Sequence, residues 1–229
     1  VSKPAFEKKR LSIGPVSVGE GVSFGSLPEG YERAVALGVP GMALRLGSGI
    51  FASGYSVSLE EDDGADVYAV ARYNGQRTVE TSKVSEYPRP AQPLELYEFE
   101  GCPFCKKVRE AVNVLDINVV YYPCPSNGPT YREKVKAEGG KSQFPYIVDP
   151  NNENKALYES DDIIEYLYET YGPGKDGIPM ALRLGALTTL TAGLSLAPRL
   201  GAGSRYRESK KPEGMQPLKL WAYEASPFC

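Results

Sequence analysis

Two cysteines set two residues apart, in Cys102-Pro103-Phe104-Cys105, are the residues of this sequence best placed for chemistry. Before them, Leu94–Glu100 reads as a strand that Gly101 breaks. After them, Cys105, Val108, Val112 and Leu115 fall at helical spacing on one face, with charges on the other. That pattern places Cys102 at a helix N-terminus, with Pro103 at an early position where its missing N–H costs nothing. Free helix N–H groups and the macrodipole favour a thiolate, so Cys102 is expected to be the low-pKa nucleophile, with Lys106 and Lys107 adding positive potential. Cys105, under the first turn and within disulfide reach, is expected to be the more buried, resolving thiol. The chemistry is thiol–disulfide exchange.

The competing use of a Cys-x-x-Cys pair is half of a zinc site. That site needs two more ligands, and only Cys124 and Cys229 remain, with no histidine. Placement between a strand and a helix favours redox chemistry, and no metal site is expected. The absence of histidine excludes Ser-His and Cys-His catalysis within these 229 residues. Cys124 reads as a packed thiol. Tyr97, Tyr121, Tyr122 and Tyr166 read as core or rim aromatics.

The elements that must position the pair follow from the same periodicities. Asn118–Cys124 reads as a second strand and Thr130–Glu138 as a helix closed by Gly139-Gly140. Phe144–Asp149 reads as a third strand and Ala156–Glu159 as a fourth. Ser160 is expected to cap a last helix through Tyr171, with Asp161 and Asp162 in its first turn. The order is βαβ followed by ββα, an α/β fold over residues 94–171.

Those residues resemble the thioredoxin superfamily. They are most similar to the glutaredoxin-like, glutathione S-transferase N-terminal type found in tandem in plant and algal chloroplast proteins. The resemblance rests on Cys102-Pro103-Phe104-Cys105, on Cys124-Pro125-Ser126-Asn127-Gly128-Pro129, on Gln143 through Pro150, and on Tyr158-Glu159-Ser160-Asp161-Asp162 through Leu167. It implies that Pro145 is a cis-proline and that Phe144 offers its backbone to a bound peptide or glutathione. It also implies that Glu159 and Ser160 grip the γ-glutamyl group of glutathione. Pro103, Phe104 and Lys106 complete the expected glutathione or substrate surface. Glutathione is the implied co-substrate. A [2Fe–2S] cluster bridging two chains through Cys102 and glutathione is a minority use of such domains.

The rest of the chain is organised by an internal repeat. Met42-Ala43-Leu44-Arg45-Leu46-Gly47 recurs as Met180-Ala181-Leu182-Arg183-Leu184-Gly185. Gln92-Pro93-Leu94-Glu95-Leu96 recurs as Gln216-Pro217-Leu218-Lys219-Leu220, and Cys102-Pro103-Phe104-Cys105 as Ser226-Pro227-Phe228-Cys229. Ser226 stands where a nucleophilic Cys would be, so a second unit is expected to be catalytically silent. The division expected is a 1–93 extension, the 94–171 domain, a 172–215 linker, and 216–229 as the first strand of a second thioredoxin-like unit that continues past Cys229. The extension carries an apolar helical segment at 34–57 and a β-hairpin at 66–82 turning at Asn74-Gly75. Glu60-Glu61-Asp62-Asp63 reads as a solvated acidic loop. A matching apolar helical segment at 178–200 lies in the linker. The Arg inside each run, Arg45 and Arg183, argues against membrane spans. They are expected to pack domain against domain or to dock on a membrane complex.

Composition is that of an ordinary soluble chain, 41% hydrophobic and 24% charged. A net charge of −3 gives no electrostatic footprint for nucleic acid. No secretory signal is visible at Lys8-Lys9-Arg10. The expected function is a glutathione-linked thiol–disulfide oxidoreductase acting on disulfide-bearing protein targets. The alternative is a non-catalytic subunit or assembly factor on a chloroplast membrane protein complex of photosynthesis. The expected location is the chloroplast, in the stroma or on the stromal face of the thylakoid membrane.

Overall fold

A computed structural model describes residues 39–207 and 216–226. The start of the first apolar segment, 34–38, and Pro227-Phe228-Cys229 of the repeat lie outside the described residues.

Four strands form the central sheet, in the order β5-β4-β6-β7. They are β4 (Leu94–Glu98), β5 (Val119–Pro123), β6 (Tyr146–Asp149) and β7 (Lys155–Leu157). β4 pairs parallel with β5 through Leu96–Tyr121 and antiparallel with β6 through Leu96–Ile147. Because side chains alternate across a strand, Leu94 and Leu96 face one side and Tyr97 the other. The first side packs on α2 (Pro103–Val114) and α4 (Ser160–Tyr171), through Val108, Val112, Ile163 and Leu167. The second packs Tyr97, Cys124 and Tyr146 against Val135 of α3 (Arg132–Gly139). This is the two-sided, thioredoxin-like α/β layering.

The core of this domain does not stop at its last helix. Ile178 and Leu182, on and before α5 (Met180–Arg183), belong to the same buried cluster as Leu94 and Val108. α6 (Ala186–Leu196) follows and lies against α2.

A second, three-stranded sheet precedes the domain, in the order β1-β3-β2. It comprises β1 (Ser56–Glu61), β2 (Arg72–Tyr73) and β3 (Gln76–Thr81). Asn74 and Gly75 both have positive φ, 49° and 72°, the conformation that a two-residue hairpin turn requires. Two expectations are corrected here. The hairpin expected over 66–82 has its first strand only at Arg72–Tyr73, and 66–71 form no strand. Glu60 and Glu61 are not in a loop but end β1, opposite Arg77 and Gln76. Asp62, just beyond, takes a hydrogen bond from Arg72.

The apolar segments are also not the continuous helices expected at 34–57 and 178–200. In the first, among the described residues, 39–44 is helical (α1) and turns follow at Gly47 and Gly49, both with positive φ. In the second, Leu184 and Gly185 break α5 from α6, and Gly185 has a φ of 55°. The repeated Met-Ala-Leu-Arg-Leu-Gly core does different work at its two sites. Arg45 is buried, whereas Arg183 is exposed. Residues 216–220 are in no strand.

Arg45 explains why α2 buries its charged face. Its Nε and Nη2 donate to Glu110 at 3.0 and 2.6 Å, and further bonds reach the carbonyls of Thr188 and Ala181. Next to Glu110 in sequence, Arg109 pairs with Glu98 of β4, with Glu100, and with Glu224 at 2.7 Å. Segments from before and after the domain therefore cover a helix face that periodicity alone assigns to solvent. Buried charges are tolerated there because each meets a partner.

Candidate active site

Cys102 is the N-cap of α2, with extended backbone (φ −94°, ψ 120°) and Pro103 at the first helical position. Its Sγ accepts a hydrogen bond from the Cys105 amide at 3.3 Å. The Cys105 thiol, the Cys105 amide and the Phe104 amide all favour a thiolate at Cys102, and they hold its pKa below the usual thiol value despite burial and the nearby Glu98 charge. Cys105 is fully buried and goes the other way. Burial first, then its bond to Cys102 and the Glu98 charge, push its thiol far up. Both thiols are free. The pair thus consists of one thiol poised to ionise and one held protonated beneath it.

Cys102 is nevertheless only 4% exposed. Lys106 is not the free cation expected beside it. Its Nζ bonds Glu224 at 2.9 Å and lies 3.7 Å from Glu110, on the covered face of α2. Lys107 is tied to Asp161 in the first turn of α4 at 2.6 Å. The thiolate is therefore favoured by local hydrogen bonds rather than by lysines.

The remaining expected residues converge through short links. The Phe99 carbonyl accepts the Cys102 amide at 3.1 Å, and the Phe99 ring meets Phe144 edge-on at 6.2 Å. Phe144 precedes Pro145 across a cis peptide bond. Gln143 bonds the Glu159 carboxylate at 2.5 Å. Glu159, not Ser160, is the N-cap of α4. Ser160 is the first helical residue and is buried. Glu159 holds a φ of 57°, a left-handed strain that persists only where its surroundings enforce it and that clusters at ligand sites. Phe104, 46% exposed, lines an apolar groove of about 560 Å³ together with Ala186, Leu190 and Leu194 of α6.

Two residues near the pair went unread in the sequence. Glu98 is buried, burial raises its pKa, and its charge reaches both thiols. Arg132 stacks its guanidinium 4.7 Å over the Phe144 ring while its Nε donates to the carbonyls of Cys124 and Pro125. An Arg opening the helix after the Cys124–Pro129 loop was the available signal. Cys124 packs in the second core, with its pKa pushed up to about 11 by burial. Cys229 lies outside the described residues. Among the described residues no group of His, Cys, Asp and Glu could hold a metal ion.

Residues 96–175 match the family of glutathione S-transferase N-terminal domains. This segment is a glutathione S-transferase N-terminal, thioredoxin-like domain. A Bombyx mori glutathione transferase is 25% identical, at a TM-score of 0.33, over 41% of this chain and 42% of that one. A ligand complex of the same enzyme is 26% identical, at a TM-score of 0.30, over 38% and 39%. The chain thus spans about two fifths of the length of these structures. No curated protein matches it.

Proposed function

We propose that this chain is a glutathione-linked thiol–disulfide oxidoreductase acting through Cys102 and Cys105. The observation that carries this reading is the asymmetry of the pair: Cys102 sits at the α2 N-terminus with its sulfur taking the Cys105 amide, and Cys105 is fully buried under it. The Cys102 thiolate attacks one sulfur of a disulfide. A Cys102 mixed disulfide forms, and the other sulfur leaves as a thiolate that takes up a proton. Cys105 then loses its proton and attacks Cys102 Sγ. The substrate's second sulfur leaves as a thiolate, and a Cys102–Cys105 disulfide remains. The substrate has gained two electrons and the pair has lost two. Two glutathione molecules restore the dithiol and leave as glutathione disulfide.

Glutathione fits along Phe144-Pro145 and Glu159-Ser160, where helix α4 begins and its free N–H groups favour a carboxylate. Arg132, stacked and held by two carbonyls, offers a fixed cation for a second carboxylate. The test is Glu159→Ala. It should weaken glutathione-dependent reduction of a small disulfide by about tenfold, while dithiothreitol-driven reduction changes little. Equal losses on both would remove this binding mode.

A second reading, a non-catalytic subunit on a chloroplast membrane complex, draws on the burial of Cys102 and on the exposed Leu187, Leu190 and Leu194 of α6. Among the described residues no helix is long and apolar enough to cross a membrane. Fractionation of stroma and thylakoid membranes separates the two readings. Recovery in the stroma with reactive Cys102 favours the enzyme, and recovery with membranes with unreactive Cys102 favours the subunit.

A further inference from the structure

The residues on either side of Cys102 are covered by one stretch of chain, α6 and the strap that follows it. A Cβ on Gly101 would meet Ser204 Oγ at 1.9 Å, so the strap lies directly against the backbone before Cys102. A Cβ on Gly203 would meet Glu100 Cβ at 2.6 Å. After Cys102, a Cβ on Gly193 of α6 would meet Pro103 Cβ at 3.8 Å, and Phe104 lines a groove together with α6. The strap is pinned across the C-terminal ends of β4 and β5. Ser126 donates to the Ser204 carbonyl at 2.8 Å, and the Ser126 carbonyl accepts the Tyr206 amide at 2.8 Å. Arg199 pairs with Glu100 at 3.1 Å.

We propose that the segment 186–206 is a lid over Cys102, and that thiol exchange requires the strap at 199–206 to lift. This rests on the thiol-exchange reading above and adds its regulation. The attachments are suited to reversal. Among the described residues, and apart from close packing, they are two backbone hydrogen bonds and one ion pair between half-exposed side chains, which salt screens. Leu200, Gly201 and Gly203 all take positive φ (50°, 77° and 81°), and Leu200 is 93% exposed, so the strap leaves α6 through a run of left-handed residues with little packing of its own. A low-pKa thiolate under such a lid is shielded from adventitious oxidants. It becomes available to a disulfide whose binding displaces the strap.

The experiment is iodoacetamide alkylation of the full 229-residue chain, with Cys102 followed by peptide mass spectrometry across a pH series. Gly203→Val places side-chain atoms into Glu100 at a left-handed position and should lift the strap. Its Cys102 rate should rise about tenfold over the native chain, and Arg199→Ala should raise it about threefold, with the pH midpoint unmoved in both. Native rates in both folded variants would overturn the lid. Should Gly203→Val fail to fold, as read by circular dichroism, Arg199→Ala alone decides in the same sense. The pH midpoint is read independently. An ordinary thiol midpoint with accelerated variants would remove the exchange reading and leave the cover standing. A low midpoint with unaccelerated variants would do the reverse.

Discussion

At Cys102, two neighbouring thiols with opposite ionisation tendencies define the chemistry. The leading cause of its low pKa is the hydrogen bond from the Cys105 thiol, ahead of the backbone amides. Cys105→Ala removes that donor, so the alkylation midpoint of Cys102 should rise. Cys105→Ser keeps a donor and should hold it closer to the native value. A shared midpoint would mean that helix amides alone set the thiolate. Cys124 supplies a separate pH test. Its pKa is about 11 in the fold, against an ordinary 9.0. Between these values the unfolded chain has released the proton and the folded chain retains it, so the unfolded state binds fewer protons and stability falls as pH rises. Denaturant midpoints of Cys124→Ala should therefore decline less between pH 9 and 11 than those of the native chain.

At the scale of elements, the buried pair of Arg45 and Glu110 joins α1's C-terminal turn to α2. Truncating one partner of such a pair leaves the other charge buried alone, at a cost of about 3 kcal/mol. Arg45→Ala should lower stability by that order in urea titration, whereas Arg183→Ala, at the exposed repeat position, should change it by under about 0.5 kcal/mol. The two arginines also show where sequence reading ends. Their local sequences are identical over Met-Ala-Leu-Arg-Leu-Gly, yet among the described residues only Arg45 pairs with a carboxylate, 65 residues away. Strands β4, β5 and β6 and helices α2 and α4 were legible because their apolar periods are local. The covered face of α2 was not, because Lys106, Arg109 and Glu110 have a polar pattern that distant Arg45 and Glu224 help to neutralise. β1 was missed for a similar reason: an acidic run becomes a strand because β3 offers Arg77 and Gln76 opposite it. Of the candidate site, the thiol pair could be read from Cys-x-x-Cys before a helix. Arg132 had only the weak signal of an Arg opening the helix after the Cys124–Pro129 loop, and the strap, far from the motif in sequence, had none.

At the scale of the whole molecule, the thioredoxin-like domain is not a self-contained unit. Ile178 and Leu182 complete its main core, and α6 lies on its thiol-bearing helix. A fragment of residues 90–175 should fold but be less stable than the full chain by several kcal/mol, at about 25 cal/mol per Å² of apolar surface newly exposed. Its Cys102 should alkylate faster than in the full chain. Equal stability in chemical denaturation would mean that the flanking segments merely rest on the domain.

Glu224 gives this interdependence a direction in time. It neutralises Arg109 and Lys106 and caps Asn113 with its own amide, yet it lies more than a hundred residues after them. Synthesis runs from the N-terminus at about 5–20 residues per second. Arg45 is therefore in place before the thiol-bearing helix emerges, whereas Glu224 arrives several seconds after it. For that interval the helix has one of its two charge clamps, and the nascent thiol pair sits on a scaffold only half closed.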